Sequence, residues 1–462
     1  MGRAPYALLA AVLAWVTVHA CRPLKDPDVW WHLRLGEDLV DQHSLGTPDH
    51  WSSFATVSWV PTEPLPEVAV TFVRRALGLP GVAWVYVVTV VCVVVAVFLV
   101  CRIRSSPLPA ALATTLFVAV GEGSLTPRPQ LVSYLLLLLV VEAWVRTEAD
   151  LRPRWWLVPV SWLWSLCHGF WFIGVAYGAL AVLAVVLCRR ASRAQVLRLA
   201  AVVVASGVVV LLNPVGPGIF EAPFRVSALA PYVAEWRHPA LTSGPALTAT
   251  AMVLTIAVVW AARRAPTTWF RVAVLLSAGF WSWYAERTIV LTGVLCAPLL
   301  AAALQSLIAA PADRSATGST RRERAGLGLA VVAVLATAAV VVPRTADRPA
   351  GVPVALDARL DRLPAGTPVF NEYTLGGWLV WRHPGLEQYI DGLITPYSLA
   401  HVQDYVRAVD LAPGWYSVVR DSQAPVALLE VGSPLARALQ QRGWTTSRPD
   451  AGFVLLRRPG PA

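Results

Sequence analysis

Asp26 and Asp28 flank a proline and lead into Val29-Trp30-Trp31-His32, in a stretch that also carries His50, Glu63 and Glu67. A carboxylate beside tryptophans is partly desolvated, which raises its pKa toward neutrality and suits it to general-base work. Asp26, Asp28 and Glu63 also offer hard oxygen ligands of the kind magnesium or manganese takes. The plainer alternative is that these aspartates cap a helix and that the tryptophans anchor it at a membrane surface. Pro27 restricts Asp26 to extended backbone, and Val29, Trp30, Leu33, Leu39 and Val40 then alternate with Arg34, Glu37, Asp38 and Asp41. That spacing predicts an amphipathic helix lying in the membrane interface.

Other polar groups recur at the ends of apolar runs: Glu122, Arg128 and Gln130, then Cys167-His168-Gly169, Asn213-Pro214, Glu235-Trp236-Arg237-His238 and Glu286-Arg287. Each has a structural reading, since His168 can cap a helix, Asn213-Pro214 can stop one and Glu286 can pair with Arg287. Their recurrence on one side is what a pocket assembled from scattered loops requires. For an anion in that pocket, Arg128, Arg237 and Arg287 supply fixed charge and paired donors, with His168 as a further donor. Trp31, His32, His50, Glu63, Gln130, Glu235 and Trp236 are the other pocket candidates.

The elements that must position these residues are membrane helices. Of the 462 residues, 56% are hydrophobic and 14% charged, too little polar surface for a soluble body of this size. Apolar runs near 4–22, 81–101, 107–122, 129–145, 155–167, 170–187, 197–213, 243–262, 270–284, 287–308 and 325–343 predict about eleven spans across a core of about 30 Å. Arginines crowd alternate connections, at 102 and 104, 146 to 154, 189 to 198, 263 to 271 and 314 to 324. By the positive-inside rule those connections and the N-terminus are cytoplasmic, so the loop 23–80 and everything after Pro343 lie outside. The net charge of +10 is then topological, and the arginines, in twos to fours beside spans, form no nucleic-acid-binding domain. The six cysteines sit in or at the ends of spans, not in a disulfide or CxxC pattern. His19 argues against cleavage after the first span, which reads as an uncleaved anchor.

After Pro343 the composition becomes that of a soluble α/β domain. Strand-like runs occur at 368–370, 377–381, 388–390, 426–429 and 452–456, with helical patterns near 399–409 and 435–442. Tyr373 and Asp391 are its site candidates, Asp391 standing in Tyr-Ile-Asp-Gly at a strand's end, where a turn aspartate is the alternative. Neither GxGxxG nor GxxxxGK[ST] occurs, so no nucleotide cofactor is expected. The expected architecture is a polytopic helical membrane domain, 1–343, followed by an extracytoplasmic α/β domain, 344–462.

Asp26-Pro27-Asp28-Val29-Trp30-Trp31-His32 opening a first outer loop, Arg128-Pro129-Gln130, His168-Gly169, Asn213-Pro214 and the tail runs VFNEYTLGGWLVW and YIDGL together resemble the bacterial members of the glycosyltransferase C superfamily. The resemblance covers nearly the whole chain. It implies a multi-pass plasma-membrane enzyme that moves a hexosyl or pentosyl group, with inversion, from a polyprenyl-phosphate donor to a glycan, lipid or protein acceptor. It makes Asp28, and next Asp26, the base or a metal ligand. Displacing a lipid phosphate from an anomeric carbon needs such a base together with positive charge on the leaving group. A flippase for a lipid-linked intermediate and a noncatalytic envelope scaffold are the other readings. The absence of an internal repeat and the peripheral placing of the polar residues weigh against transport.

Overall fold

The computed structural model describes residues 4–43, 51–264, 267–308 and 318–460. The chain divides into two compact units. A helical unit comprises Met1–Arg22, Ala83–Ile219 and Val233–Arg344, and a mixed unit comprises Pro23–Val82, Phe220–Tyr232 and Thr345–Ala462.

In chain order the helices are α1 (Ala4–Ala20), α2 (Asp28–Asp41), α3 (Pro64–Arg102), α4 (Pro107–Gly121), α5 (Gln130–Asp150), α6 (Leu157–Cys167), α7 (Trp171–Leu187), α8 (Arg193–Val208), α9 (Ala222–Leu229), α10 (Gly244–Arg263), α11 (Trp269–Tyr284), α12 (Ile289–Ile308) and α13 (Arg321–Thr345). A helix stands at each of the eleven expected apolar segments. Six helices among the described residues are long and apolar enough to cross a membrane on length and composition, and α1, α4, α6 and α7 are shorter apolar helices. Gly78 interrupts α3 with φ 67° and ψ −162°, a conformation open to glycine, and Pro80 follows it. The break separates an amphipathic stretch from the strongly apolar one.

Within the helical unit, α12 packs on α4, α10 and α11, and α5 on α7. Small residues permit this closeness: a Cβ on Gly293 of α12 would lie 3.1 Å from the Phe117 ring of α4. At the end of α3, fully buried Arg102 donates to Glu323 of α13 at 2.7 and 2.8 Å and to the carbonyl of Gly318 at 2.8 Å. Large apolar side chains such as Leu329 and Val332 of α13 and Leu254 and Val258 of α10 face outward and exposed, as lipid-facing positions do.

The mixed unit holds a five-stranded sheet of order β2-β1-β3-β5-β4. Its strands are β1 (Pro368–Asn371), β2 (Glu387–Gln388), β3 (Val426–Glu430), β4 (Thr445–Thr446) and β5 (Phe453–Arg457). β1 is parallel to β2 and β3, while β5 runs antiparallel to β3 and β4. Helices α14 (Asp357–Leu360), α15 (Gly376–Arg382), α16 (Leu399–Val409), α17 (Trp415–Asp421) and α18 (Pro434–Gln441) complete the unit. One expected strand, 377–381, is instead α15. A short apolar run buried on most sides has no periodicity to tell strand from helix, and tertiary packing decides.

Segment 23–82 folds with the tail. Val57 N donates to Pro396 O at 2.9 Å, Ser52 Oγ to Gln388 O at 2.7 Å and Ala350 N to Leu24 O at 3.1 Å.

Asp357 accepts from His383 Nε2 at 3.1 Å and from Arg382 Nε at 2.9 Å. Burial pushes its carboxyl up, but the hydrogen bonds from His383 and Arg382 outweigh burial and hold it below the ordinary aspartate range. A depressed carboxyl contributes stability above its unfolded pKa of about 3.9 and loses it as pH falls through the folded value. Asp357→Asn should therefore destabilise the full chain by about 1–3 kcal/mol at pH 7, a difference that shrinks below about pH 4 in urea titrations at the two pH values.

Candidate functional site

The acidic motif begins with an Asx turn: Asp26 Oδ1 accepts from the Asp28 backbone N at 3.0 Å and orients the first turn of α2. Helix α15 lies directly on this segment. A Cβ on Gly377 would meet Pro27 O at 2.9 Å and Trp31 N at 3.2 Å. Trp30, with no exposed surface, meets Trp378 edge-on at 5.0 Å and stacks on Trp381 at 5.2 Å between ring centroids. Trp381 Nε1 in turn donates to Glu37 Oε1 at 3.1 Å, on which Arg74 also closes at 2.7 Å.

On the other side of Asp28 stands the turn that follows β2. An ideal Cβ on Gly392 would fall 2.7 Å from Asp28 Oδ1 and 3.4 Å from Trp31 Nε1, so only glycine leaves room for both. Trp31 Nε1 is a buried donor with no hydrogen-bond partner. The turn is rigid. Asn371 holds its entry by accepting from Tyr389 N at 2.8 Å and donating to Ile390 O at 2.7 Å. Asp391 is fully buried and accepts from Tyr397 Oη at 2.7 Å, Gln388 Nε2 at 3.0 Å and Leu393 N at 2.9 Å. Burial pushes the Asp391 carboxyl up, against these donors. Its oxygens are thus engaged inside the fold, and its part is to shape the turn. Tyr373 Oη donates to Gly392 O at 3.2 Å and braces the same turn.

One helical turn beyond Asp28, His32 Nδ1 lies 2.8 Å from Glu67 Oε1 and His32 Nε2 lies 3.6 Å from Glu63 Oε2. Donor atoms of all three residues fall within 4.8 Å of one another. Asp26 and Asp28 are not in this group, so the converging donors are one imidazole and two carboxylates in place of the expected three carboxylates.

The helical unit contains a polar cavity of about 200 Å³ lined by Ser124, Arg128, Gln130, Glu235, Glu286 and Arg287 together with Val120, Gly123, Ser243, Pro245 and Ile289. Arg128 Nη1 reaches Glu235 Oε1 at 2.7 Å, and Arg287 Nη1 reaches Glu235 Oε2 at 3.3 Å. The Arg287 guanidinium also lies 5.7 Å from the Trp236 ring centroid, while its Nε is a buried donor with no hydrogen-bond partner. Gln130 donates from Nε2 to Ser124 O at 3.1 Å, and its Oε1 is a buried acceptor with no partner. Two guanidiniums are thus oriented by one carboxylate, with Glu286 as a second carboxylate in the lining and polar atoms of Arg287 and Gln130 left over.

No protein-family profile and no curated protein sequence matches the chain. Solved structures do. The archaeal oligosaccharyltransferase AglB from Archaeoglobus fulgidus, in complex with an inhibitory peptide and a dolichol-phosphate, matches with a TM-score of 0.54 at 11% identity, over 99% of this chain and 74% of that one. ArnT from Cupriavidus metallidurans bound to undecaprenyl phosphate matches with a TM-score of 0.52 at 16% identity, over 99% of this chain and 98% of that one. The chain shares the fold of these solved structures. A further match, the A. fulgidus oligosaccharyltransferase in complex with Zn and sulfate, has a TM-score of 0.52 at 12% identity, over 91% of this chain and 68% of that one.

In this fold the candidate residues sort into two sets. Asp26, Asp28, Trp31, His32, Glu63, Tyr373 and Asp391 all belong to the mixed unit; Arg128, Gln130, Glu235 and Arg287 share the cavity of the helical unit, with Trp236 against Arg287. Arg237 is exposed and does not line that cavity, and buried His168 is engaged with Ser133 Oγ at 3.0 Å. His50 lies outside the described residues. Glu286 pairs neither with nor against Arg287 in the expected way, since Arg287 turns to Glu235. The contacts of Gly377 and Gly392 with the acidic motif carry no local sequence signal; only the folded chain shows what approaches them.

Gly392→Ala should lower the stability of the full chain by about 1–3 kcal/mol in thermal or urea unfolding, because its Cβ collides with Asp28 Oδ1. Gly385→Ala, where a Cβ meets nothing within 4 Å, should leave the midpoint nearly unchanged.

Proposed function

We propose that the protein is a membrane glycosyltransferase that moves a hexosyl or pentosyl group from a polyprenyl-phosphate donor to an envelope glycan, lipid or protein acceptor, inverting the anomeric carbon. The observation that carries this reading is the cavity in which Arg128 and Arg287 share Glu235 while Arg287 Nε keeps an unpartnered N–H. A phosphate would accept from that donor and meet the two fixed charges. The dolichol-phosphate and undecaprenyl phosphate held by two proteins of this fold support the donor class.

In the transfer, an acceptor hydroxyl oxygen bonds to the anomeric carbon as the bond from that carbon to the phosphate oxygen breaks. Asp28 takes the hydroxyl proton, and the phosphate leaves with its charge matched by Arg128 and Arg287. One displacement means one inversion. Asp28 is put forward as the base ahead of Asp26, whose Oδ1 holds the Asx turn that starts α2 at Asp28. Trp31 Nε1, unpartnered and on the Asp28 side of Gly392, suits a sugar or acceptor oxygen. A divalent cation of the magnesium or manganese class would add positive charge when bound, and no step above is routed through one. The donor is already activated by its lipid phosphate, so no nucleotide enters.

The same reading places the protein in a bacterial plasma membrane as a multi-pass chain, with its N-terminus and arginine-rich connections cytoplasmic and the mixed unit outside. Membrane lipid is then a standing partner and nucleic acid is not.

The test is sugar transfer by the purified full-length chain in lipid nanodiscs, with a panel of radiolabelled polyprenyl-phosphate sugars. Asp28→Asn should lower kcat about 10²–10⁴-fold with donor binding retained, and Arg287→Gln should lower kcat/KM for the donor about 10²–10³-fold. Binding of lipid intermediates without turnover of any donor would replace this reading with the transporter or scaffold.

A further inference from the structure

Helix α2 and the first part of α3 cross at Gly36, where a Cβ would fall 2.3 Å from Thr71 Oγ1 and 2.4 Å from Glu67 O. This close crossing brings His32, one turn before Gly36, against Glu67, one turn before Thr71. Glu63 lies one further turn back along the chain. The side chains of His32 and Glu63 are 11% exposed and that of Glu67 is 1% exposed. A carboxylate as dry as Glu67 is costly unless both its oxygens are engaged. Arg74 and Arg75, in the stretch of α3 before Gly78, pair with Glu37 and Asp41. Glu67 Oε1 is held by His32, whereas Glu67 Oε2 is a buried acceptor with no hydrogen-bond partner, and so is the neighbouring hydroxyl of Thr71.

From this geometry we propose that His32, Glu63 and Glu67 form a divalent-cation site selective for zinc-class ions over magnesium. An imidazole nitrogen with two carboxylates is a borderline donor set that zinc, and less strongly manganese, favours, while magnesium prefers oxygen and retained water. One donor atom of each residue lies within 4.8 Å of the others, so a small turn of the side chains brings the three to the roughly 3.3 Å separations that a tetrahedral ion with bonds of about 2.0–2.1 Å imposes. The unpartnered Glu67 oxygen is the group the ion would satisfy. Bound there, the ion staples α2 to α3 across the Gly36 crossing. It thereby fixes the face of α2 that carries Asp28, four residues before His32, without itself being a ligand of Asp28. The proposal is independent of the transfer reading, since a scaffold of this fold would hold the same ion.

The alternative arrangement is a protonated His32 bridging the two carboxylates with no metal. Metal content and melting of the full-length chain in nanodiscs separate the two, with zinc alone, manganese alone or magnesium alone added after chelation and dialysis. Wild type and Asp28→Asn should each retain about a single zinc per chain. Both should melt several degrees lower in chelator and recover with zinc but not with magnesium. His32→Gln and Glu67→Gln should lose the zinc and the zinc-dependent shift. A wild type that holds no stoichiometric zinc and melts identically with and without chelator overturns the site, whatever the variants do. Zinc retained by both His32→Gln and Glu67→Gln, or lost in Asp28→Asn, overturns the ligand assignment. Each of these outcomes can be read whether or not the chain transfers sugar.

Discussion

Two glycines let a helix of the tail lie on bare backbone. Gly376 would meet Ile390 O at 2.2 Å and Gly377 would meet Pro27 O at 2.9 Å if either carried a Cβ, so α15 is wedged between the acidic motif and the Asp391-Gly392 turn. That wedge buries Trp30 between two tryptophans, sets the distance from Asp28 to Gly392 and positions α2 so that its opposite face can cross α3 at Gly36. A helix with side chains at those two places would stand off by about the width of a methyl group. The carboxylates would then face water instead of a defined surface.

The helical unit solves a different problem. Charges near the ends of apolar helices must be oriented without being lost to water, and Glu235 does this for Arg128 and Arg287 at once. A partly exposed pair of this kind adds little to stability, because solvent screens much of the attraction. What it supplies is orientation. Arg102 with Glu323 is the contrasting case: that guanidinium is fully enclosed and also bonded to the Gly318 carbonyl, so it joins α13 to the end of α3 and has no atom to offer a ligand.

Much of this was legible in the sequence, and the reasons are physical. A run of twenty apolar residues has few alternatives to a helix, so the eleven segments emerge where hydropathy puts them. Asp26, Asp28, Arg128 and Arg287 were visible because charge beside hydrocarbon is expensive enough to be informative. The strand expected at 377–381 failed because Gly-Gly-Trp-Leu-Val-Trp has no periodic signal, and its helical state depends on docking against residues nearly 350 positions away. Of the three clustered residues, Glu63 was expected as a metal ligand, His32 as a pocket residue and Glu67 as a polar group of the same loop; their convergence depends on the Gly36 crossing, a contact that one sequence does not encode locally.

The contact between Glu37 and Trp381 spans 344 residues of chain. At about 5–20 residues per second of synthesis, the tryptophans of the acidic motif wait roughly 20–70 seconds before the helix that buries them exists. During that interval Trp30 and Trp31 lack the surface that later buries them. The order of residues along the chain thus makes the acidic motif a late-assembling part of the molecule, even though it is among the first to be made. Closure of the mixed unit consequently reports that the intervening helices have been completed.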